Sequence, residues 1–569
     1  MKKVMIGLWL LAMPLCLLAQ HSCQITEELP LKLMGKELMR NFKILKKEKP
    51  PIYYLSYTYW DYDEKDINVN LGGVEKESAK HGAFAEVQAR AGSPALDNTH
   101  LIRDEQRTYD TDWERIYGVS ADNKYFQTRW WEATRRAAEN AQADYDRAAA
   151  SEKAASQARD QSADFAFPLV EKFCQTQEFP PVNMEQIKEL LINASKLVLG
   201  EEVVLESSFN FSSEQGHWYF ADSRGSRLKV PYAEMNMAYS LINKLKDGTI
   251  LTRRKFYHVS DQTQLPSQEQ LNQDVRVSLE ELKALSQAPQ ADPTTVPAIL
   301  KAPAAAVLMH EALGHRLESQ RQKDEASGQT LAGKVGQQIL PSFLSVVDDP
   351  TRVEFKGEPL RGHYIYDDEG VKAQPVTLVK NGVLKNFLTY SSPIKGFPSS
   401  NGHGRRQLGK RAEARMGVML TTASETVPYE KLEQMLVEEI KRQNKPYGFI
   451  VDDLDGGYTL TGGTDVIQSL KLKVKRMWRI YPDGHKELVR GLELIGTPLN
   501  VLNKIIAAAD DYALFNGSCG SNSGWVPQTN GAPSFLFSEL EMQKVDKSDT
   551  KPPLLPSPFI KHGQKGGQK

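Results

Sequence analysis

The chain is poor in cysteine and has almost no excess charge of either sign. Its 569 residues include four cysteines, too few for the disulfide scaffolds that hold small secreted domains together. Lysine and arginine total 71, aspartate and glutamate total 72, and the net charge is −1. A balance of this kind lacks the basic footprint of nucleic-acid binding, so we expect no nucleic-acid partner. The length suggests two to four domains.

Long apolar runs are also scarce. The one run of note, residues 4–19, follows two lysines and ends at a small residue, which is the pattern of a secretory signal peptide. A membrane anchor is the alternative, but the run is shorter than the roughly 20 apolar residues that a spanning helix needs. We therefore predict an exported protein, periplasmic or secreted, with no stable membrane span. The mature chain would keep Cys23, Cys174 and Cys519, and one thiolate of an odd set is available to bind a metal.

The first half of the chain mixes helix and strand patterns. Residues 203–211 and 217–220 are rich in strand-forming residues and predict two strands joined by a turn at 214–216. Residues 233–245 predict a helix. A stretch at 126–162 is dense in Ala, Arg, Glu and Gln, which predicts a long polar helix. We interpret it as a solvated insertion, with a partner-binding arm as the alternative.

The second half is richer in strand signals. Residues 375–390 alternate around Asn381-Gly382, a strong hairpin signal, and residues 470–489 predict a second hairpin around a Tyr-Pro-Asp-Gly turn. A polar stretch near 285–300 separates an N-terminal domain, 25–290, from a C-terminal domain, 300–545. The last residues, 546–569, are rich in Pro, Gly and Lys and predict a disordered tail.

The segment that carries chemistry follows Pro303 and reads AAAVLMHEALGHRLESQRQ. Its composition predicts a helix over 304–322 that presents His310, Glu311 and His315. Neutral imidazoles are common zinc ligands, and a carboxylate beside one of them can accept a proton from water. The alternative is that the three side chains are merely solvated. The apolar residues before His310 favour a buried helix, however, in which such groups need partners.

The spacing of the two histidines is unusual. They stand at i and i+5, whereas the familiar zincin motif places them at i and i+4. At about 100° per residue, i+5 lies about 140° around a regular helix from i, so the rings would not meet at one ion. We therefore predict a widened, π-type turn at 310–315, with Gly314 where distortion of the backbone is least costly.

A zinc site also needs a third protein ligand. Cys519 lies in FNGSCGSNSG, which predicts a flexible loop. The alternative that Cys519 is a nucleophile paired with one of the histidines rests on a weak sequence match, GSCGS. Glu318 is placed either to orient His315 or to form a surface pair with Arg321. Spacing alone does not choose Cys519 as the third ligand over three histidines elsewhere in the second half: His363, His403 and His485.

Several segments in order resemble the TldD/PmbA metallopeptidase family, also called modulators of DNA gyrase. The resemblance covers about 300–540, whereas the first half matches only loosely. The segments are MHEALGHRLE, VVDDPT (346–351), DDEG (367–370), NGVLKNFL (381–388), RMGVML (415–420), LELIGTPLNVL (492–502) and the late Cys519-Gly520.

The resemblance implies an α+β fold with an α/β N-terminal domain and a β-rich C-terminal domain. It implies a Zn²⁺ ion bound by His310, His315 and Cys519, with Glu311 as the general base. These residues place the chain with the catalytic branch of the family, whose members form homodimers or heterodimers with a related non-catalytic chain.

The implied function is a zinc-dependent metallopeptidase that hydrolyses unfolded or small peptides held as an added β-strand. The segment after Cys519, SNSGWVPQTNGAPSFLF, departs from the glycine- and glutamine-rich run usual in the family. This departure leaves open a second function, that of a non-catalytic peptide-binding subunit in a TldD/PmbA-like assembly.

Overall fold

A computed structural model describes residues 20–102, 110–116, 123–154, 160–323, 329–459 and 469–546. The predicted signal peptide, 1–19, lies outside these residues, as does the predicted tail beyond residue 546. None of the helices in the described ranges is long and apolar enough to cross a membrane.

The N-terminal elements build one large sheet with helices packed on it. Nine strands form this sheet in the order β1-β6-β8-β7-β2-β3-β4, with β5 beside β3 and β9 beside β8. All the pairs are antiparallel except β6–β8. The elements are β1 (Gln20–Ser22), α1 (Leu29–Leu45), β2 (Ile52–Asn70), β3 (Gly73–Ser93), β4 (Leu96–Asp97), β5 (Asp112–Arg115), α2 (Asn123–Ala154), β6 (Lys172–Gln177), α3 (Met184–Ser195), β7 (Glu206–Asp222), β8 (Arg227–Lys244), β9 (Ile250–Val259) and α4 (Gln268–Gln287).

The C-terminal elements form two further main sheets. In the first, β10, β19, β20, β22 and β26 pair in turn, and β26 pairs again with β10, so this sheet closes on itself. The second has the order β15-β14-β11-β18-β25-β24. The elements are β10 (Thr294–Leu300), α5 (Ala302–Ala312), α6 (Gln320–Lys323), β11 (Leu344–Asp348), β12 (Glu354–Phe355), β13 (Glu358–Pro359), β14 (Val376–Lys380), β15 (Val383–Leu384), β16 (Gly404–Arg405), β17 (Glu413–Ala414), β18 (Val418–Ala423), α7 (Tyr429–Arg442), β19 (Gly448–Thr459), β20 (Leu470–Ile480), β21 (Lys486–Val489), β22 (Leu492–Gly496), α8 (Pro498–Asn503), β23 (Ile505–Ala508), β24 (Ala513–Ser521), β25 (Gly524–Ala532) and β26 (Phe535–Lys544).

The predicted α+β class is confirmed, and so are both predicted hairpins. Strands β14 and β15 pair across Asn381-Gly382, where both residues have positive φ, 49° and 77°. Strands β20 and β21 pair across the second predicted turn, in which Gly484 has φ of 87°. Asn and Gly adopt this left-handed conformation most readily, which explains why these local signals were reliable.

Two local predictions in the N-terminal sheet are wrong. Residues 214–216 form no turn, because β7 runs straight through them between β2 and β8. Gly216 is needed there for close packing, since a Cβ at this position would lie 2.1 Å from the carbonyl oxygen of Asp61. Residues 233–245 are mostly strand β8 rather than helix. Their buried side chains alternate, as in a strand with one face on the core: Met235, Met237, Tyr239 and Leu241.

The long helix predicted around 126–162 is present as α2, but it is not a solvated insertion. It packs on β3 and α1, and Trp130 stacks on Tyr57 with ring centroids 4.4 Å apart. The stripe that faces the core consists mainly of small side chains, which hide it from a search for large apolar residues: Trp130, Ala133, Ala137, Ala141 and Ala148, all buried.

Candidate metal centre

Helix α5 carries the first two motif residues into the centre of the C-terminal region. It begins with a proline in its first turn, as predicted, and all its residues except Pro303 are buried. It packs against β19 of the closed sheet and against β24 and β25 of the six-stranded sheet. The alanines at 304–306 let the sheets approach closely, so His310 and Glu311 lie in a region of low water access.

The predicted widened turn at 310–315 is wrong. Helix α5 ends at Ala312, and a tight 3-10 turn follows over Gly314–Arg316. The helix stops because the chain beyond it pairs with Leu388: the Leu388 N–H donates to Leu317 (2.8 Å), and the Ser319 N–H donates to Leu388 (3.0 Å). The end of the helix therefore brings the two histidine rings together, with centroids 4.9 Å apart.

Gly314 permits this turn through packing rather than through an unusual φ. A Cβ at this position would lie 2.0 Å from the sulfur of Met416 and 3.3 Å from the terminal methyl group of Met419. Both methionines belong to the C-terminal core. A glycine is thus required where the turn that carries His315 meets that core.

The structure brings together the three predicted ligands. His310, His315 and Cys519 are all buried, and one ligand atom from each lies within 4.8 Å of the others. Cys519 Sγ is 3.4 Å from His315 Nε2. The cysteine lies on strand β24, opposite Val526 of β25, so the predicted flexible loop is wrong. Two imidazoles and a thiolate are donors that zinc accepts, and the arrangement suits one ion.

The other histidines considered as third ligands lie elsewhere in the fold. His363 Nδ1 contacts the carbonyl oxygen of Pro350 at 2.8 Å, His403 Nε2 lies 3.3 Å from a carboxylate oxygen of Asp348, and His485 stacks on Tyr481. None of the three belongs to the cluster, so the geometry selects Cys519.

Glu318 serves both of its predicted partners. It is fully buried, with Oε1 3.1 Å from His315 Nδ1, while Arg321 Nε donates to Oε2 at 2.8 Å. Burial alone would raise the pKa of Glu318, but His315 and Arg321 lower it to about 2. The carboxylate can only accept from Nδ1, so it leaves Nε2 of His315 facing Cys519.

The cysteine is electrostatically prepared as a thiolate. Burial disfavours the charged form, but His315, His310 and Arg415 outweigh it and hold the pKa of Cys519 well below its usual range. Arg415 is itself fully buried and donates to the Cys519 carbonyl oxygen at 2.6 Å. Its guanidinium also lies 3.5 Å from Glu318. Arg415 was not among the site residues predicted from the sequence. An arginine in the otherwise apolar segment RMGVML is nevertheless a signal of a buried charge.

Glu311 differs from Glu318 in its surroundings. Its side chain is buried against β19, where a Cβ on Gly457 would come within 3.3 Å of Glu311 Cγ. Its carbonyl oxygen accepts from Arg316 at 2.8 Å. Among the residues that the structure describes, no side chain or backbone group is hydrogen-bonded to its carboxylate. The carboxylate is therefore available to a water molecule or a substrate.

Strand β24 is also tied to the N-terminal sheet. Arg361 donates through Nε to Glu234 of β8 at 2.6 Å, and another of its nitrogens hydrogen-bonds Ser518, the residue before Cys519. Its backbone N–H donates to Asn516 at 3.2 Å. The strand that carries the thiolate is thus held from both halves of the chain.

The fold and this buried His-His-Cys cluster define an α+β protein with a candidate metal centre. A family model described as the PmbA/TldA metallopeptidase C-terminal domain matches residues 293–544. All four motif residues, His310, Glu311, His315 and Cys519, lie within the matched region.

Two curated relatives agree with this resemblance. The metalloprotease TldD homolog of Haemophilus influenzae is 28% identical over 250 residues, which are 43% of this chain and 47% of that protein. The zinc metalloprotease TldD homolog of Saccharolobus solfataricus is 26% identical over 249 residues, 43% of this chain and 51% of that protein. The chain thus spans about half the length of these relatives in the matched region.

The fold resemblance extends over more of the chain. The crystal structure of TldE from Thermococcus kodakarensis superposes with a TM-score of 0.55 at 15% identity, covering 89% of this chain and 99% of that one. At this identity the comparison shows that the fold is shared.

Proposed function

We propose that the protein is a zinc-dependent metallopeptidase that hydrolyses peptide bonds of unfolded or small peptides. The observation that carries the proposal is the buried cluster of His310, His315 and Cys519, with the unpaired carboxylate of Glu311 next to the first ligand. Relatives named as metalloproteases, one of them as a zinc metalloprotease, support it.

In this proposal the three ligands hold one Zn²⁺ ion. When bound, zinc supplies a Lewis acid that polarises a peptide carbonyl group and acidifies water. Glu311 accepts the proton of the attacking water and later delivers it to the leaving amine. Glu318 keeps His315 oriented, and the positive charge of Arg415 stabilises the thiolate form of Cys519.

The role of Glu311 is tested with Glu311→Gln. We expect peptide hydrolysis to fall by about 10²–10⁴-fold, the usual contribution of a general base, while zinc content stays at the wild-type level. Glu430→Gln on the exposed surface of α7 is the matched control. Unchanged hydrolysis in the Glu311 variant would remove this residue from the mechanism. A wild-type protein that binds peptides and zinc without cleaving them would instead be the non-catalytic subunit.

The metal set is tested by zinc content. We expect about one ion per wild-type chain after dialysis against a weak chelator, and a large loss in Cys519→Ser, because a neutral hydroxyl is a poor replacement for a thiolate ligand. Equal zinc content in the two proteins would show that the ion is held elsewhere.

We extend the proposal to export and to assembly. A disulfide joins Cys23 to Cys174, and such bonds persist in oxidising compartments, which supports a periplasmic or secreted protein made with the signal peptide at 1–19. A homodimer, or a heterodimer with a related non-catalytic chain, is proposed from the resemblance to the TldD/PmbA family alone. Fractionation of cells and light scattering of the purified protein test the two statements separately.

A further inference from the structure

The two histidines of the centre are supported by different kinds of group. His315 Nδ1 faces the Glu318 carboxylate, whereas His310 Nδ1 faces the carboxamide of Asn530, with Nδ2 of Asn530 2.9 Å away. Asn530 and Gln528 lie on the face of β25 that packs on α5, and both are fully buried. A carboxylate can only accept a hydrogen bond, but a carboxamide can donate or accept.

In the present arrangement Asn530 Nδ2 donates to His310 Nδ1 and to Oε1 of Gln528. With Nδ1 accepting, a His310 ring that carries one hydrogen carries it on Nε2. Within the described part of the chain, Asn530 Oδ1 and Gln528 Nε2 have no hydrogen-bond partner. Neither atom therefore fixes which way its carboxamide is turned, so the contact with His310 decides the orientation of the pair.

If a metal ion were held through Nε2 of His310, the ring hydrogen would lie on Nδ1. If both carboxamides turn by half a rotation, Asn530 Oδ1 accepts from Nδ1–H and also from Nε2 of Gln528. The turn exchanges the roles of the four amide atoms. The hydrogen bond between the two carboxamides is kept in the opposite direction, and Asn530 Nδ2 and Gln528 Oε1 become the atoms without a partner among the described residues. No backbone movement is needed, because a terminal amide group exchanges its oxygen and nitrogen in place.

We propose that Asn530, backed by Gln528, is a positioning residue that selects which nitrogen His310 offers to the metal. Turned to present Oδ1, it holds the hydrogen on Nδ1 and leaves Nε2 as the ligand atom. Such partners behind metal-binding histidines tune both orientation and affinity. This inference rests on the proposed zinc centre.

The test is zinc affinity, measured by chelator competition and independent of peptide hydrolysis. We expect Asn530→Leu to weaken zinc binding by about 10–100-fold. Asn530→Asp keeps an acceptor at the same place and should restore affinity to within about threefold of wild type. Asn41→Leu, at a buried asparagine of α1 in the N-terminal region, is the matched control and should bind zinc normally.

Wild-type affinity in Asn530→Leu would overturn the inference, as would an Asn530→Asp variant as weak as the leucine variant. A structure of the zinc-loaded wild-type protein provides a second test that needs no variant. Zinc bound to Nδ1 of His310 would overturn the proposal even if Asn530→Leu does not fold. If wild-type protein binds zinc but cleaves no peptide, the proposed function fails while the role of Asn530 stands.

Discussion

Two carboxyl groups, the half-buried Glu214 and the fully buried Glu318, have opposite electrostatic surroundings. Glu214 lies on β7 directly between Glu64 of β2 and Glu234 of β8. Burial, and then these two carboxylates, raise the pKa of Glu214 to about 7. Glu318 is more deeply buried, yet His315 and Arg321 overcome the effect of burial and lower its pKa to about 2. Burial is common to both, so the sign of the shift is set by the neighbours.

The two regions therefore differ in how their charged side chains are paired. The C-terminal centre surrounds one carboxylate with cationic groups, including Arg415 at 3.5 Å, and depends on that pairing. The N-terminal sheet places like charges opposite one another on adjacent strands, an arrangement that costs stability, and Arg361 compensates only at Glu234. The centre should therefore be sensitive to the loss of a charge, and the sheet should gain from it.

The largest expected effect is in the centre. Glu318→Ala should lower the free energy of unfolding by about 3–5 kcal/mol, because it leaves Arg415 and Arg321 without their buried partner. The folded pKa of Glu318 is below the ordinary value of about 4.3. Its contribution is therefore complete above that pH and is lost as the pH falls towards 2.

Urea unfolding at pH 7 and at lower pH measures the effect of Glu318→Ala, with Glu430→Ala as the exposed control. A variant as stable as wild type at pH 7 would show that the charge network does not support the C-terminal region.

The next effect concerns the other two described cysteines. The bond between Cys23 and Cys174 closes a loop with a sequence separation of 151. Replacing both by serine should lower stability by about 2–5 kcal/mol while leaving zinc content unchanged, because the bond lies in the N-terminal sheet. Reduction of the wild-type protein should reproduce the change. Loss of zinc on removal of the disulfide would show that the stability of the N-terminal sheet affects metal binding in the C-terminal region.

The smallest expected effect is an increase in the free energy of unfolding, produced by removing the charge of Glu214. Because the folded pKa of Glu214 is above its unfolded value of about 4.3, the folded state binds the proton more tightly, and stability falls as the pH rises from there to about 7. Glu214→Gln should remove this loss and stabilise the protein by at most about 4 kcal/mol above pH 7, and by less because solvent screens its half-buried side chain.

Thermal unfolding between pH 5 and 8 tests the Glu214 prediction, with Glu206→Gln at the exposed start of β7 as the control. The Glu214 prediction would be contradicted if thermal unfolding of Glu214→Gln and of Glu206→Gln depended on pH in the same way as that of the wild-type protein.

Local sequence determined the parts of this protein that depend on local chemistry. The hairpin at Asn381-Gly382, the proline at the start of α5 and the residue types of the candidate centre follow from neighbours in the chain. The family resemblance added Cys519, which spacing alone had left open against three histidines.

Tertiary structure decided what depends on contacts distant in sequence. Pairing with Leu388, rather than a widened helix, ends α5 and brings His315 to His310. Packing against β2 makes Gly216 part of a continuous strand, and packing on β3 and α1 buries the alanine stripe of α2. Asn530 reaches His310 from a separation of 220 residues. No local pattern encodes such contacts, because their free energy comes from surfaces that meet only in the folded chain.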